Sequence, residues 1–383
     1  MATNDFLGLV SSIFVLNLDL ASDIAQLVPH EVLLKLTSKQ SMINVSKSLS
    51  GKCSKEDEEL RKAARIVHNT EHHLYQRIDQ LEMAEGCGIP KYFGGIDYST
   101  VLDTGYFLIE VVKDVHPVRY YDNISMKAVS QVLESLARLN AKLISNRDLL
   151  SNFNDKICAD FSANNSIRGG YGIERCAAGF LSIASRYPNL DREANLLASF
   201  AESDYPLLCH WDCHLGNVLW AKDEKSNKWE MLKIVDWQTV HLNNPIIDVC
   251  RITFSALSPD DFGQHLESLL HLYYKTLSEN TTGQLPWKSF ETMRKAYDLV
   301  FPLQVILVGY LLGNETFVER QVSRLTDSEK SKARCSIEAK LHSYVNYAAR
   351  CVEKYYLLQK STHARFRFVN ECNEYIAGNS MLD

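Results

Sequence analysis

Beyond its N-terminus the chain has no apolar stretch near the roughly 18 continuous residues that would span a bilayer, so no membrane-spanning helix is expected. No basic run exceeds a few residues, and a net charge of -6 with a pI of about 6.1 supplies no electrostatic footprint for nucleic acid. An anionic ligand would have to find local positive groups. The ten cysteines show no paired, disulfide-like spacing, which points to reduced and mostly buried thiols. Internal repeats and low-complexity tracts are lacking too. What the chain does have, 46% hydrophobic and 23% charged residues over 383 positions, is enough to bury one large core or two lobes.

The apolar run from Phe6 to Leu18 has the length of a signal-peptide core, but its flanks disagree. No Lys or Arg precedes it, Asp5 is acidic, and Asp19 and Asp23 stand where small residues would mark a cleavage site. Buried strands are expected instead, and a cytoplasmic protein. A second strand is expected to end in VLLKL at Leu36, past a polar break around Asp19 to Gln26.

Between Ser54 and Glu82 the residues Leu60, Ala64, Val67, Leu74, Tyr75, Ile78 and Leu81 recur at helical spacing, and Ser54 with Asp57 resembles a capping box. KYFGGIDYS and YFLIEVV, separated by Asp103, Thr104 and Gly105, read as a hairpin. From Ser125 onward the pattern is helical, with segments near 125–145, 171–185, 190–203, 260–280, 287–312 and 327–360. The short strand-like pieces PLLCH and MLKIVDW interrupt it. The change of texture near residue 112 divides a first lobe, 1–112, from a second, 113–383.

The segment from Cys209 to Asp248 stops looking generic. It holds His210, Asp212 and Asn217, then Asp236 after two short strands around the turn at Asp223 to Lys228. Phosphoryl transfer needs a carboxylate for the attacking hydroxyl, oxygen ligands for magnesium and a positive group on the phosphates. A loop Asp, a loop Asn and a strand-end Asp meet the first two needs, and one hairpin would present both magnesium ligands. Two other readings of the segment are weaker. Cys209, His210, Cys213 and His214 would suit a metal only on a helix, which Gly216 and Asn217 argue against. Nucleophilic catalysis by Cys209 or Cys213 lacks an accompanying oxyanion motif.

The loop resembles that of aminoglycoside and choline kinase-like phosphotransferases, and IVDWQTVHLNNPIIDVCRI resembles the CHK kinase-like group, which includes ecdysteroid kinase-like proteins. The resemblance implies an α+β, two-lobed protein-kinase-like fold. It has a small antiparallel-sheet N-lobe with one long helix, and a larger helical C-lobe carrying a catalytic loop at 209–220 and a metal-binding segment at 231–251. It implies Asp212 as catalytic base, Asn217 and Asp236 as Mg2+ ligands, His210 as a loop brace and Asp248 as an anchor. It further implies ATP as phosphate donor and a small-molecule alcohol as acceptor.

In the first lobe, Lys35 is an odd residue for a strand interior and Glu71 lies on the long helix, so the two suit the phosphate-orienting pair of such kinases. The backbone near Glu110, Val111 and Val112 would meet the adenine edge. Trp287 and Tyr310 would line a substrate pocket or fill the core.

Two departures stand out. Trp211 occupies a position where these families usually have Gly. Because protein kinases carry Arg there, the backbone is expected to tolerate the change, with substrate access altered instead. The phosphate-covering stretch contributes only Gly8, without the family's usual preceding helix and strand. A kinase-like binding module that no longer catalyses is therefore the alternative to an active enzyme. A protein kinase is disfavoured, since no Ala-Pro-Glu-like activation segment follows Asp236.

Overall fold

The computed structural model describes residues 11–19, 29–43, 57–146, 206–313 and 315–360. The helices expected near 171–185 and 190–203, and also Gly8, Ser54 and the side chain of Tyr310, lie outside the described residues.

The first lobe is a four-stranded antiparallel sheet in the order β1-β2-β4-β3, formed by β1 (Ser11–Asn17), β2 (Glu31–Ser38), β3 (Tyr92–Ser99) and β4 (Thr104–Glu110). One helix, α1 (Asp57–Gln80), packs on it. The period-2 rule of strands sorts the faces. On β2, Lys35 and Thr37 are buried on the face they share with Phe107 and Ile109 of β4, while Val32, three residues from Lys35, is buried on the opposite face. Lys35 stands opposite Phe107 in the register of β2 with β4. The apolar face of α1, through Leu60, Ala64, Val67, Leu74 and Ile78, is buried. Close approach of helix to sheet depends on Gly105, where a Cβ would sit 2.6 Å from the His68 ring.

The second lobe is mainly helical. Its helices are α2 (Met126–Ser145), α3 (Ile246–Ala256), α4 (Pro259–Glu279), α5 (Phe290–Gly313), α6 (Glu315–Val322) and α7 (Asp327–Lys360). Every residue of α3 is buried, which a short helix achieves only at the centre of a core. Phe254 of α3, Phe262 of α4, Phe301 of α5 and Tyr344 of α7 meet edge-to-face or tilted around it. Between α2 and α3 run β5 (Leu207–Cys209), a 3-10 turn (Leu215–Asn217), the hairpin of β6 (Val218–Asp223) and β7 (Lys228–Ile234), and β8 (His241–Asn243). The whole is a two-lobed, protein-kinase-like α+β fold: an antiparallel sheet with one long helix, followed by a larger helical lobe.

Candidate functional site

Lys35 joins the lobes. Its Nζ lies 2.5 Å from Glu71 Oε2 on α1 and 2.5 Å from Asp236 Oδ1, just beyond β7. Two carboxylates thus share one buried ammonium. Burial works against the charge on Lys35, but Asp236 and Glu71 outweigh it and raise its pKa above the ordinary lysine value. Burial pushes Glu71 up to about 7 against the pull of Lys35, with Asp236 adding to the rise. Glu71 also accepts from the backbone N–H of Trp237 at 3.2 Å, tying α1 to the segment after β7.

The loop after β5 is built around Asp248, at the start of α3. Its two carboxylate oxygens accept from the backbone N–H groups of His210 and Trp211, at 2.7 and 2.8 Å. Its burial raises its pKa to about 6. The His210 ring is fully buried, with Nε2 2.9 Å from the Val235 carbonyl and the imidazole packed on Trp237. Thr239 Oγ1 donates to the His210 carbonyl at 2.8 Å. The loop is therefore fixed from α3 on one side and from the segment after β7 on the other.

Asn217 and Asp236 flank the base of the β6–β7 hairpin, where Val218 pairs with Ile234 and the Val235 N–H donates to the Asn217 carbonyl at 2.9 Å. Asn217 Nδ2 donates to the Asp212 carbonyl at 2.9 Å, so the side-chain oxygen is the atom left to meet a cation. Asp236 Oδ2 accepts from Gln238 at 3.2 Å. One carboxylate and one amide oxygen are donors of the kind Mg2+ takes while keeping water and phosphate as its other ligands. The residues present fit that ion.

Asp212 carries a partner that sequence reasoning missed. Arg251 Nη1 lies 2.9 Å from Asp212 Oδ1, and the Arg251 Nε donates to Gln304 at 2.8 Å. Burial opposes ionisation of Asp212, but His214 and Arg251 outweigh it and hold the carboxyl below its ordinary range. The signal was present in IIDVCRI: Asp248 and Arg251 are charged residues one helical turn apart in an otherwise apolar helix.

Trp211 has a φ of +68°, in the left-handed region that glycine adopts at least cost. The ring packs against His241, with centroids 4.7 Å apart. Asp236 is also left-handed, at φ +66°. Such strain clusters at functional sites because only a strongly determined surrounding structure holds it.

Other candidates settle differently. The Cys213 thiol is pushed well above its ordinary value by burial, which leaves no thiolate nucleophile. Trp287 is buried against Tyr273 as core. At the lobe connection, Glu110 turns its carboxylate to Lys233 at 2.9 Å, and its backbone N–H donates to the Lys91 carbonyl. Val112 is half-buried just beyond it. A cavity of about 770 Å³ borders Glu31, Phe93, Glu110, Val111 and Lys113. Lys35, Asp212 and Asp236 are not among its walls, so it lies at the sheet end beside the connection and not over the ion-pair cluster.

The family model DUF1679, described as "Uncharacterized oxidoreductase dhs-27", matches residues 2–170 and 185–347. No curated protein matches the chain. Among solved structures it is similar to a Ralstonia eutropha JMP134 protein assigned by name as an aminoglycoside phosphotransferase, with 13% identity, TM-score 0.41, and 84% of this chain and 86% of that one covered. It is also similar to a thermostable mutant of aminoglycoside phosphotransferase APH(4)-Ia, with 12% identity, TM-score 0.38 and coverage of 87% and 91%. A third is aminoglycoside-3'-phosphotransferase of type VIII, with 14% identity, TM-score 0.36 and coverage of 71% and 85%.

Proposed function

The chain belongs to the DUF1679 family, and we propose that, despite the oxidoreductase in that family's description, it is an ATP-dependent phosphotransferase acting on an alcohol group of a small molecule. The observation that carries this reading is the bridge from Lys35 to both Glu71 and Asp236, beside a loop that holds Asp212 and Asn217 together. A dinucleotide-dependent oxidoreductase would ordinarily use an open parallel sheet with a glycine-rich turn. Every strand pair among the described residues is antiparallel.

In this reading Lys35, oriented by Glu71, leaves Asp236 for the phosphates of ATP, and Asp236 and Asn217 hold Mg2+. Bound Mg2+ supplies charge neutralisation on the transferring phosphoryl group. Asp212 faces the acceptor and orients its hydroxyl, taking the proton as the acceptor oxygen bonds to the γ-phosphorus and the bond from that phosphorus to the β–γ bridging oxygen breaks, releasing ADP. Backbone groups near Glu110, Val111 and Val112, other than the Glu110 N–H that the Lys91 carbonyl holds, would meet the adenine. The sequence likeness to CHK kinase-like proteins directs the substrate search to choline, ethanolamine, ecdysteroid and glucoside alcohols. The lobes would meet near residue 112, with the nucleotide between them.

One observation favours a second reading, that of a kinase-like binding module. Arg251 occupies Asp212 Oδ1, and a carboxylate so paired is a weaker base. Mg2+-dependent ATP stabilisation of the parent, Asp212→Asn and Asp236→Asn proteins, run beside turnover assays on those alcohols, separates the two. An active kinase shows nucleotide stabilisation in the parent and in Asp212→Asn, its loss in Asp236→Asn, and turnover only in the parent. Binding without turnover on any alcohol supports the module, and a parent that ignores ATP and Mg2+ sinks the enzyme reading.

A further inference from the structure

On the far side of Glu71 in sequence, α1 carries two consecutive histidines that converge on one carboxylate. His72 Nδ1 lies 2.9 Å and His73 Nε2 2.7 Å from Asp97 Oδ1 on β3. Among the described residues this is the one cluster of three His, Cys, Asp or Glu ligand atoms lying within 4.8 Å of one another. Neighbouring positions on a helix point about 100° apart, so two adjacent rings reach a common point only by special arrangement. Here the buried ring of His72 uses its near nitrogen and the half-exposed ring of His73 its far one.

Three local features hold that arrangement. His72 Nε2 is 2.8 Å from the Tyr92 hydroxyl, a partner that fixes the ring and leaves Nδ1 as the lone-pair nitrogen when Nε2 carries the proton. The His72 ring lies parallel to Phe107, and space for it is kept by Gly95, whose Cβ would stand 2.8 Å from His72 Nε2. On β3, pairing with β4 is irregular between Ile96 and Ser99, and this brings Asp97 to the helix while leaving it partly open to water.

We propose that His72, His73 and Asp97 form a site for a borderline divalent transition metal, Zn2+ being the natural occupant, with solvent completing the coordination. Two imidazole nitrogens and one carboxylate oxygen are the donor set such ions take, and the hydrogen bond from the second ring nitrogen to Tyr92 is the outer support that metal-bound histidines carry. The site is separate from the cluster around Lys35, although the same helix serves both. A metal here ties α1 to β3 one residue from Glu71.

The test uses the full chain freed of metal, titrated with Zn2+ against a chromophoric chelator and with Co2+ by absorption. Saturable binding of one equivalent is expected, with visible Co2+ bands and without the near-ultraviolet thiolate charge transfer that cysteine ligands would give. His73→Gln and Asp97→Asn, both at partly exposed side chains, each weaken Zn2+ by at least tenfold, and Tyr92→Phe weakens it by about 10- to 100-fold. Asp236→Asn leaves it unchanged, which separates this site from any ion held near Asn217. The proposal is overturned if Zn2+ does not saturate, if His73→Gln and Asp97→Asn bind it like the parent, or if the Co2+ spectrum is that of thiolates.

Discussion

At the scale of single residues, the most consequential arrangement is one base between two acids. Removing only Lys35 leaves Glu71, 2% exposed, and Asp236, 21% exposed, facing each other without a counter-charge. Breaking such a group by deleting one partner costs roughly 3–5 kcal/mol, mostly the penalty of the stranded charge. Lys35→Met is therefore expected to lower unfolding free energy by roughly that amount in denaturant titrations. Adding Glu71→Gln to Lys35→Met should recover roughly 1–2 kcal/mol, although Glu71→Gln alone destabilises the parent. Additive losses in that cycle would show that the three groups do not interact. Lys35 and Glu71 could be paired from sequence because a lysine inside an apolar strand asks for a partner. Asp212 and Arg251 could not, since 39 residues separate them: IIDVCRI marks Arg251 as a charge on an apolar helix but does not name its partner. The left-handed backbone of Trp211 was equally hidden, because side-chain identity there argues against the conformation it adopts.

At the scale of elements, α3 acts as the template of the catalytic-type loop. Its first turn presents Asp248 to two backbone N–H groups and its next turn presents Arg251 to Asp212. A carboxylate in the first turn also meets the positive end of the helix dipole. Asp248→Ala strands the His210 and Trp211 N–H groups in a buried setting, at about 1–3 kcal/mol each, whereas Asp248→Asn keeps one acceptor and should cost about half as much. Denaturant unfolding of the two variants measures this, and equal losses would mean that only the charge matters. Most elements were legible in advance: α1, α2, α4 and α7 follow helical periodicity, and β3 and β4 follow alternation bounded by turn residues. The irregular pairing of β3 was not legible, because its partners there are on another element: His68 meets the Ile96 carbonyl and His72 the Asp97 carboxylate.

At the scale of the whole molecule, the second lobe is held together at the C-terminal end of α3, where helix carbonyls must find donors from elsewhere. The Ile124 N–H takes the Ala256 carbonyl, the Tyr344 hydroxyl takes Leu257, and Lys340 Nζ takes both Ser255 and Asp122 carbonyls. No sequence pattern announces Lys340, a single lysine on a helix with many charged neighbours, yet it is 1% exposed. Burial, opposed only by the Asp122 carboxyl, lowers its pKa from 10.5 to about 7. Between those values the unfolded chain carries a proton that the folded chain does not, so folding gains stability as pH rises from about 7 towards 10.5, and below about 7 the full cost of the buried charge is present. Lys340→Met abolishes the titration while stranding two carbonyls. The unfolding free energy of the parent minus that of Lys340→Met should therefore increase with pH between 7.5 and 10, approaching about 1.4 kcal/mol per pH unit. Taking the difference cancels the tyrosines and cysteines that also titrate there. A difference that stays flat across that window would show that Lys340 keeps its proton, and that its two carbonyl partners hold an ammonium.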